Sequence, residues 1–173
     1  MYRIRQAMYV SLASVYNSML RLPCRAVKQF VLLKQEDGTI MKAAVRYYSR
    51  SGHTKAIAEA IAKPLGVPAI SIDAQHPALS EPVDVLFIGG ALYAYGIDKK
   101  LENYIQKLPR RGIKKAVVFS TSWISRHAID LIKQALSDRG ISVEEQYFYV
   151  RGKPKDTDLR DADVFASRYL IAP

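Results

Sequence analysis

Three short segments of this sequence contain residue types and spacings that could hold a ligand. Residues 49–54 read SRSGHT, in which three hydroxyl side chains accompany a glycine. Residues 90–97 read GALYAYGI and place two tyrosines between glycines, whereas residues 120–125 read STSWIS and include the only tryptophan. Hydroxyls and glycine-flanked amides suit a phosphate, and aromatic side chains suit a flat ring. We therefore expect a ligand site wherever the fold brings these segments together.

The segment 49–54 joins a predicted strand directly to a predicted helix. Unpaired backbone N–H groups and the positive end of the helix dipole create an anion site at such a junction. Ser49, Ser51 and Thr54 add hydroxyl donors, and Gly52 lets the backbone approach a ligand closely. Helix capping alone would need one hydroxyl, so we favour phosphate binding. The segment is neither a Walker loop nor a GxGxxG fingerprint.

A regular alternation of strand-like and helix-like patterns surrounds these segments. The run DVLFIG at 84–89 is apolar without interruption, as expected for a parallel strand that is covered on both faces. The alternation implies an α/β fold, in which right-handed crossovers build a parallel sheet with helices on both faces. Ligands bind at the carboxyl ends of such strands, where the three segments begin. The predicted strands cover 42–48, 69–72, 84–89, 116–120 and 142–150, and the predicted helices cover 53–63, 98–108, 125–139 and 158–170.

Local signals mark several boundaries of these elements. Asp98 is the expected N-cap of the second helix, while Ser125 is expected to cap and Gly140 to close the third. The strand at 142–150 alternates only partly between apolar and polar residues, which predicts a position at the sheet edge. The connection at 73–83 contains two prolines and leaves room for one helical turn at most.

The segment VRYYSRSGHT at 45–54 resembles the flavodoxin phosphate-loop signature, a hydrophobic strand followed by S/T-x-S/T-G-N/H-T. The likeness runs through the 133 residues from Met41 onward and is strongest at this loop. It implies a flavodoxin-like, doubly wound, five-stranded parallel sheet of order 2-1-3-4-5, with FMN as the cofactor. It further implies that the terminal FMN phosphate is surrounded by Ser49, Ser51, Gly52, His53 and Thr54, with Arg50 contributing its backbone.

The resemblance assigns the second segment to the flavin ring. In flavodoxins the matching loop folds along one edge of the flavin and often supplies an aromatic residue. By position, Tyr93 is our first choice for stacking on the ring and Tyr95 the second. The alternative for Tyr93 is ordinary packing under the loop. The residues expected along the flavin edge are Gly90, Ala91, Leu92 and Tyr93.

The resemblance assigns the third segment to the flavin as well. Thr121 and Ser122 would bond the ribityl chain or the ring edge, and Trp123 would lie beside the flavin. Trp123 stands among hydroxyls at a predicted strand end, a poor place for packing alone. His127 could donate a proton near the flavin, although we favour a helix-surface role for it. We predict no catalytic residue from the sequence.

The composition excludes several classes of protein. Cys24 is the only cysteine, so no intramolecular disulfide can form, and the three histidines lie far apart in the sequence. No apolar run reaches the roughly twenty residues needed to cross a bilayer. The formal net charge of +10 is spread along the chain without a basic–aromatic groove pattern, so we expect no nucleic-acid partner. We expect a reducing, cytoplasmic setting, no membrane span and no metal site.

Residues 1–40 differ in character from the rest of the chain and are expected to lie outside the fold. They contain no acidic residue before Glu36, and their apolar residues are only loosely periodic. One interpretation is an arginine-bearing transit peptide or an amphipathic surface helix. The other is leader RNA translated through a start-site error, because Met41 opens what looks like a complete domain over 41–173.

The resemblance implies an electron carrier in the first instance, with FMN exchanging electrons with a redox partner protein or a small-molecule oxidant or reductant. An FMN-dependent oxidoreductase acting on a quinone, a porphyrinogen-like or another small substrate is the first alternative. It is indicated by GGALYAYGIDKKLENYI at 89–105, which resembles the matching loop of flavodoxin-like protoporphyrinogen oxidases. The second alternative is a non-redox binding module that has lost FMN.

One departure from the family pattern concerns charge. Familiar flavodoxins are strongly acidic, whereas residues 41–173 contain twenty Lys and Arg residues against fourteen Asp and Glu residues. The usual docking with basic partners would therefore be opposed electrostatically.

Overall fold

The computed structural model describes residues 41–93, 96–123 and 125–170. Within this part of the chain, strands and helices alternate as the sequence patterns predict. The elements are β1 (Ala43–Tyr47), α1 (His53–Ala62), β2 (Ala69–Ser71), β3 (Val83–Gly90), β4 (Leu92–Tyr93), β5 (Gly96–Ile97), α2 (Lys99–Lys107), β6 (Ile113–Ser122), α3 (His127–Asp138), β7 (Val143–Arg151) and α4 (Asp156–Ser167), followed by a 3₁₀ turn (Arg168–Leu170).

Five strands form one parallel sheet in the order β2-β1-β3-β6-β7. The predicted order 2-1-3-4-5 is confirmed, because β4 and β5 pair only with each other in the loop after β3. That short antiparallel ladder, which the sequence analysis did not predict, belongs to the second segment. The strand β7 lies at the sheet edge, as its partial alternation predicts.

Apolar side chains of the central strands alternate between two cores, one on each face of the sheet. On one face Phe87 and Phe119 pack with Ile57 of α1 and Phe165 of α4. On the other face the partners of the sheet come from α2 and α3, and they include Leu101 and Ile132. The uninterrupted apolar run of β3 is thus buried on both sides, which agrees with its predicted central position.

The connection between β2 and β3 contains turns and no helix in the described chain. A buried arginine of β1 holds it: Arg46 donates from Nε to the Pro77 carbonyl at 2.7 Å and from Nη2 to the Ala78 carbonyl at 3.1 Å. The Tyr104 hydroxyl donates to the same Pro77 carbonyl at 2.8 Å. Carbonyl acceptors therefore compensate the cost of burying this guanidinium.

Helix boundaries follow the local signals within one or two residues. Asp98 accepts a 2.9 Å hydrogen bond from the Lys100 N–H at the start of α2, which confirms it as the N-cap. The predicted cap of α3 was wrong by one residue: Arg126 is the N-cap, and Ser125 before it accepts a 3.3 Å hydrogen bond at Oγ from the His127 N–H. Gly140 with φ +80° follows the end of α3, as predicted. The interpretation of residues 1–40 concerns residues outside the described chain and stays a prediction.

Candidate cofactor site

The first segment forms the turn between β1 and α1, and its backbone leaves an anion site open. Gly52 adopts a left-handed conformation (φ +85°) just before the helix begins at His53, and no side chain of the described residues caps this start. A Cβ atom at Gly52 would have no neighbour within 4 Å, so the space beside the turn is open. The first N–H groups of α1 can therefore donate to a phosphate here.

The three hydroxyl side chains of the first segment have different surroundings. Ser51 is exposed, and Ser49 is half-buried with its Oγ accepting a 3.0 Å hydrogen bond from the Gly52 N–H. Thr54 is buried, and its Oγ1 lies 2.7 Å from Thr121 Oγ1. One of these two hydroxyls donates to the other, which leaves a single proton of the pair for a ligand. This contact joins the first segment to the third.

Arg50 joins the first segment to the second. Its guanidinium pairs with the Asp98 carboxylate, and its Cζ lies 4.2 Å from the ring centroid of Tyr93. Its backbone N–H donates to the Tyr93 hydroxyl at 3.1 Å. The N–H group that the family pattern assigns to the phosphate is thus bonded to Tyr93, and the Arg50 side chain covers one face of that ring.

The contacts around Arg50 shift the pKa values of three groups. Burial acts to raise the pKa of Asp98, but the Lys100 N–H and the Arg50 guanidinium outweigh it and lower that pKa. The neighbouring Tyr48 and Asp98 side chains raise the pKa of Arg50. Burial raises the pKa of Tyr93. Near neutral pH the contact is therefore an ion pair beside an uncharged phenol.

Packing requires both glycines at the end of β3. A Cβ atom at Gly89 would lie 2.2 Å from the Phe119 ring, and one at Gly90 would lie 2.4 Å from Leu101 Cδ2. Both distances are far below normal contact. The second segment therefore starts with a glycine because α2 packs tightly on the sheet there, a cause that the sequence pattern did not reveal.

The remainder of the second segment passes through β4 and β5. Ala91 and Leu92 are half-buried, as is Tyr93. The Tyr93 ring makes an edge-on contact with Tyr48 at a centroid distance of 6.0 Å. Tyr95, the second choice for stacking, lies outside the described residues. Among the predicted residues of this segment, Tyr93 contacts Arg50.

The third segment ends β6 and presents an open indole. The buried Ser122 is held through its carbonyl, which accepts from the Tyr149 hydroxyl at 2.9 Å and from the Gly152 N–H at 3.1 Å. Trp123 is 70% exposed, which excludes ordinary core packing for it. Its ring lies against Gly152, where an added Cβ would come within 3.2 Å of Cε2. Arg151 Nε donates to the Trp123 carbonyl at 3.2 Å.

Several residues of the site were not identified from the sequence. Asp98 was predicted only as a helix cap, although it also pairs with Arg50. Tyr149 and Gly152 support the third segment from β7 and the turn after it. No local pattern marks them, because the contact joins neighbouring strands that lie far apart in sequence. His127 lies exposed at the first residue of α3.

The three segments are brought together at the carboxyl ends of β1, β3 and β6, as predicted from the strand–helix alternation.

No helix within residues 41–93, 96–123 and 125–170 has the length and apolar character to cross a membrane. The same part of the chain contains no cluster of three or more His, Cys, Asp or Glu residues that could hold a metal ion.

Comparison with known proteins identifies the family. The family model described as "Flavodoxin domain" matches residues 44–162. The chain therefore belongs to the flavodoxin family. No curated protein matches the sequence.

Solved structures with this fold include flavodoxins and a larger redox protein. A flavodoxin from the domain Archaea is 24% identical with a TM-score of 0.65, and the match covers 75% of this chain and 96% of that one. Flavodoxin 1 from Bacillus cereus is 20% identical with a TM-score of 0.60, covering 75% and 97%. The rubredoxin oxygen:oxidoreductase of Desulfovibrio gigas is 19% identical with a TM-score of 0.63, covering 75% of this chain and 36% of that one.

Family membership makes FMN the cofactor of this protein. The donor set at the start of α1 fits such a group. Gly52 leaves the helix start uncapped and open, and the exposed Ser51 adds a hydroxyl beside it. Backbone N–H groups, a hydroxyl and a helix dipole together suit a phosphate dianion.

Proposed function

We propose that the protein is an electron carrier that holds FMN at the carboxyl ends of β1, β3 and β6. The observation that carries this proposal is the open, uncapped start of α1 directly after Gly52. The phosphate would accept hydrogen bonds from the first N–H groups of α1 and from Ser49 and Ser51. Thr54 would act mainly by holding Thr121, and through it the third segment, in place.

The two aromatic candidates would have different roles toward the ring. Trp123 is mostly exposed, and one face of its indole lies against Gly152. The other face is therefore available for offset stacking. One face of Tyr93 is already covered by Arg50, and its hydroxyl accepts the Arg50 N–H. We therefore assign stacking to Trp123, and to Tyr93 the positioning of the first segment against the second.

Bound FMN would supply the electron-accepting chemistry, and the protein would orient and shield it. The main-chain groups of Gly90, Ala91 and Leu92 would follow the ring edge. Ser122 has its carbonyl occupied by Tyr149 and Gly152, so its contribution would be a hydroxyl or an N–H group. An exposed ring edge beside Trp123 would let a partner approach within electron-transfer distance.

An FMN-dependent oxidoreductase is the second candidate, and the segment 89–105 favours it. That segment resembles the loop of flavodoxin-like protoporphyrinogen oxidases, and it includes the β4–β5 ladder and most of α2. In this case the substrate would lie where a protein partner docks in the first case. A non-redox module that has lost FMN predicts no flavin at all.

Visible absorbance and turnover separate the three candidates. A flavin spectrum that persists through gel filtration supports both redox functions, whereas its absence after reconstitution with FMN would leave the non-redox module. FMN-loaded protein is then mixed with NAD(P)H and quinones, and separately with a reduced ferredoxin-type donor. The carrier predicts rapid flavin reduction by the protein donor and no steady turnover with the small molecules. Steady turnover without a protein partner would contradict it.

A further inference from the structure

The two sides of the proposed cofactor site differ in whether their cationic side chains form ion pairs. On the side of α2, two cations have an anionic neighbour: Arg50 pairs with Asp98, and Lys100 pairs with Asp73 at 2.9 Å. On the side of β7, Arg126, Arg151 and Lys153 are exposed and form no ion pair among the described residues. We call these three cations, together with the exposed Tyr147, the cationic patch; its residues are Arg126, Tyr147, Arg151 and Lys153.

Aromatic rings and a carbonyl hold the cations of this patch. Arg126 donates from Nη1 to the Tyr147 hydroxyl at 3.3 Å, and its Cζ lies 5.6 Å from the Tyr149 ring centroid. Arg151 donates from Nε to the Trp123 carbonyl. A ring or a carbonyl positions a guanidinium but leaves its full charge. Both side chains therefore stay available to carboxylates of another molecule.

The patch keeps an excess of positive charge. Among the described residues, Arg126, Arg151 and Lys153 form no ion pair with a carboxylate. Four carboxylates lie nearby in the sequence: Asp130 one turn after Arg126, Glu145 two residues before Tyr147, and Asp156 and Asp158 at the start of α4, three and five residues after Lys153. With Lys133 of α3, which lies 5.2 Å from the Tyr147 ring centroid, and with Lys155 before α4, five cations stand against four anions in this part of the sequence.

We propose that the cationic patch is the docking surface for a small acidic redox protein, a role that rests on the proposed carrier function. Arg guanidinium groups bind carboxylates with two parallel hydrogen bonds, and Arg, Tyr and Trp are the side chains that contribute most to binding at protein interfaces. The patch offers this combination next to Trp123. A complementary negative surface would be steered to the flavin and oriented there.

Electron transfer from a reduced acidic [2Fe–2S] ferredoxin to the FMN-loaded protein tests this surface. One electron leaves the reduced cluster and enters the oxidised flavin, which is followed by anaerobic stopped-flow absorbance. The test variant is Arg126→Glu/Arg151→Glu. The matched control is Arg110→Glu/Arg111→Glu, which changes the net charge equally at exposed residues of the turn before β6, at the opposite end of that strand.

We expect the wild-type rate constant to fall at least tenfold between about 20 mM and about 300 mM salt, as for electrostatically steered association. The patch variant should react at least tenfold more slowly at low salt, and the control should stay within about threefold of wild type. Electron transfer from the dithionite-reduced protein to basic cytochrome c should show the opposite salt dependence. Equal losses in the two variants, or a faster low-salt reaction with cytochrome c, would overturn the proposal.

Two further readouts separate the alternatives. FMN retention is measured in every variant. A wild-type protein that holds no flavin, or that no partner protein reduces, contradicts the proposed carrier function itself and not only the proposed docking surface. Sedimentation with phosphatidylserine vesicles tests a lipid surface as the occupant. Vesicle binding that requires Arg126 and Arg151, together with ferredoxin reduction that does not, would overturn the acidic-protein proposal.

Discussion

The two sides of the cofactor site are constructed in different ways. On the α2 side, Arg50 bonds Tyr93 and Asp98, so the first and second segments hold each other. On the β7 side, Trp123 lies open on Gly152, and its cationic neighbours have no carboxylate partner within the described chain. Contacts on the first side are satisfied internally, whereas those on the second are available to other molecules. Under the proposed function, the α2 side would hold the first and second segments in place for the cofactor, and the β7 side would supply Trp123 to the flavin and meet the partner.

The largest expected effect concerns the turn on which both sides depend. Gly52→Asp should weaken FMN binding at least about 100-fold, because it places a carboxylate beside the phosphate and a side chain at φ +85°. Gly140→Asp is the matched control, since Gly140 has φ +80° and equally open surroundings away from the site. Fluorescence titration of the apoproteins measures both affinities. Similar FMN affinity in the two variants would show that the turn does not hold the phosphate.

The packing of the α2 side gives the next effect. Gly90→Ala should lower the free energy of unfolding by about 1–3 kcal/mol, because the added methyl overlaps Leu101. Leu101→Val removes part of that overlap. In a double-mutant cycle followed by urea denaturation, the two substitutions should therefore be less destabilising together than their sum. Strict additivity would contradict the packing explanation for this glycine.

Substitution of Trp123 tests the role of the β7 side in FMN binding. Trp123→Ala should weaken FMN binding about tenfold, since the lost stacking is on the order of 1.4 kcal/mol. Tyr147→Ala, also an exposed aromatic residue on this side, should leave FMN affinity unchanged. Fluorescence titration again measures both. A larger loss for Tyr147→Ala than for Trp123→Ala would reverse the assignment of stacking.

The smallest expected effect is the pH dependence that the ionised Asp98 gives to the free energy of unfolding. The Lys100 N–H and the Arg50 guanidinium lower the pKa of Asp98 in the folded state, so these contacts stabilise the protein above the ordinary aspartate pKa of about 4 and their contribution is lost in acid. Asp98→Asn keeps a good helix cap but removes the charge. Between pH 6 and pH 3, the variant should therefore lose less unfolding free energy than the wild type. An identical loss, measured by urea denaturation at each pH, would show that the charge of Asp98 adds nothing to stability.

Much of the fold follows from periodicity and local signals. The apolar run of β3 predicted a central strand, and Asp98 predicted a helix start, because each depends on residues close in sequence. The β4–β5 ladder was missed, since two-residue strands lack a periodic pattern.

Of the candidate site, the three segments and their meeting at one sheet edge could be predicted. Their mutual contacts could not be predicted. Arg50–Asp98 and Thr54–Thr121 join residues 48 and 67 positions apart, and a single sequence has no signal for such pairs. Gly90 was assigned to the flavin edge, yet packing on Leu101 already requires it.

Comparing FMN with riboflavin tests the central claim most directly, because the two differ only by the phosphate. Apoprotein labelled with ¹⁵N is titrated with each compound. FMN should bind at least about 100-fold more tightly, as expected for a phosphate held by several charge-assisted hydrogen bonds, and it alone should shift the amide signals of residues 51–55. Equal affinities, with those amide signals unmoved by FMN, would contradict a phosphate site at the start of α1.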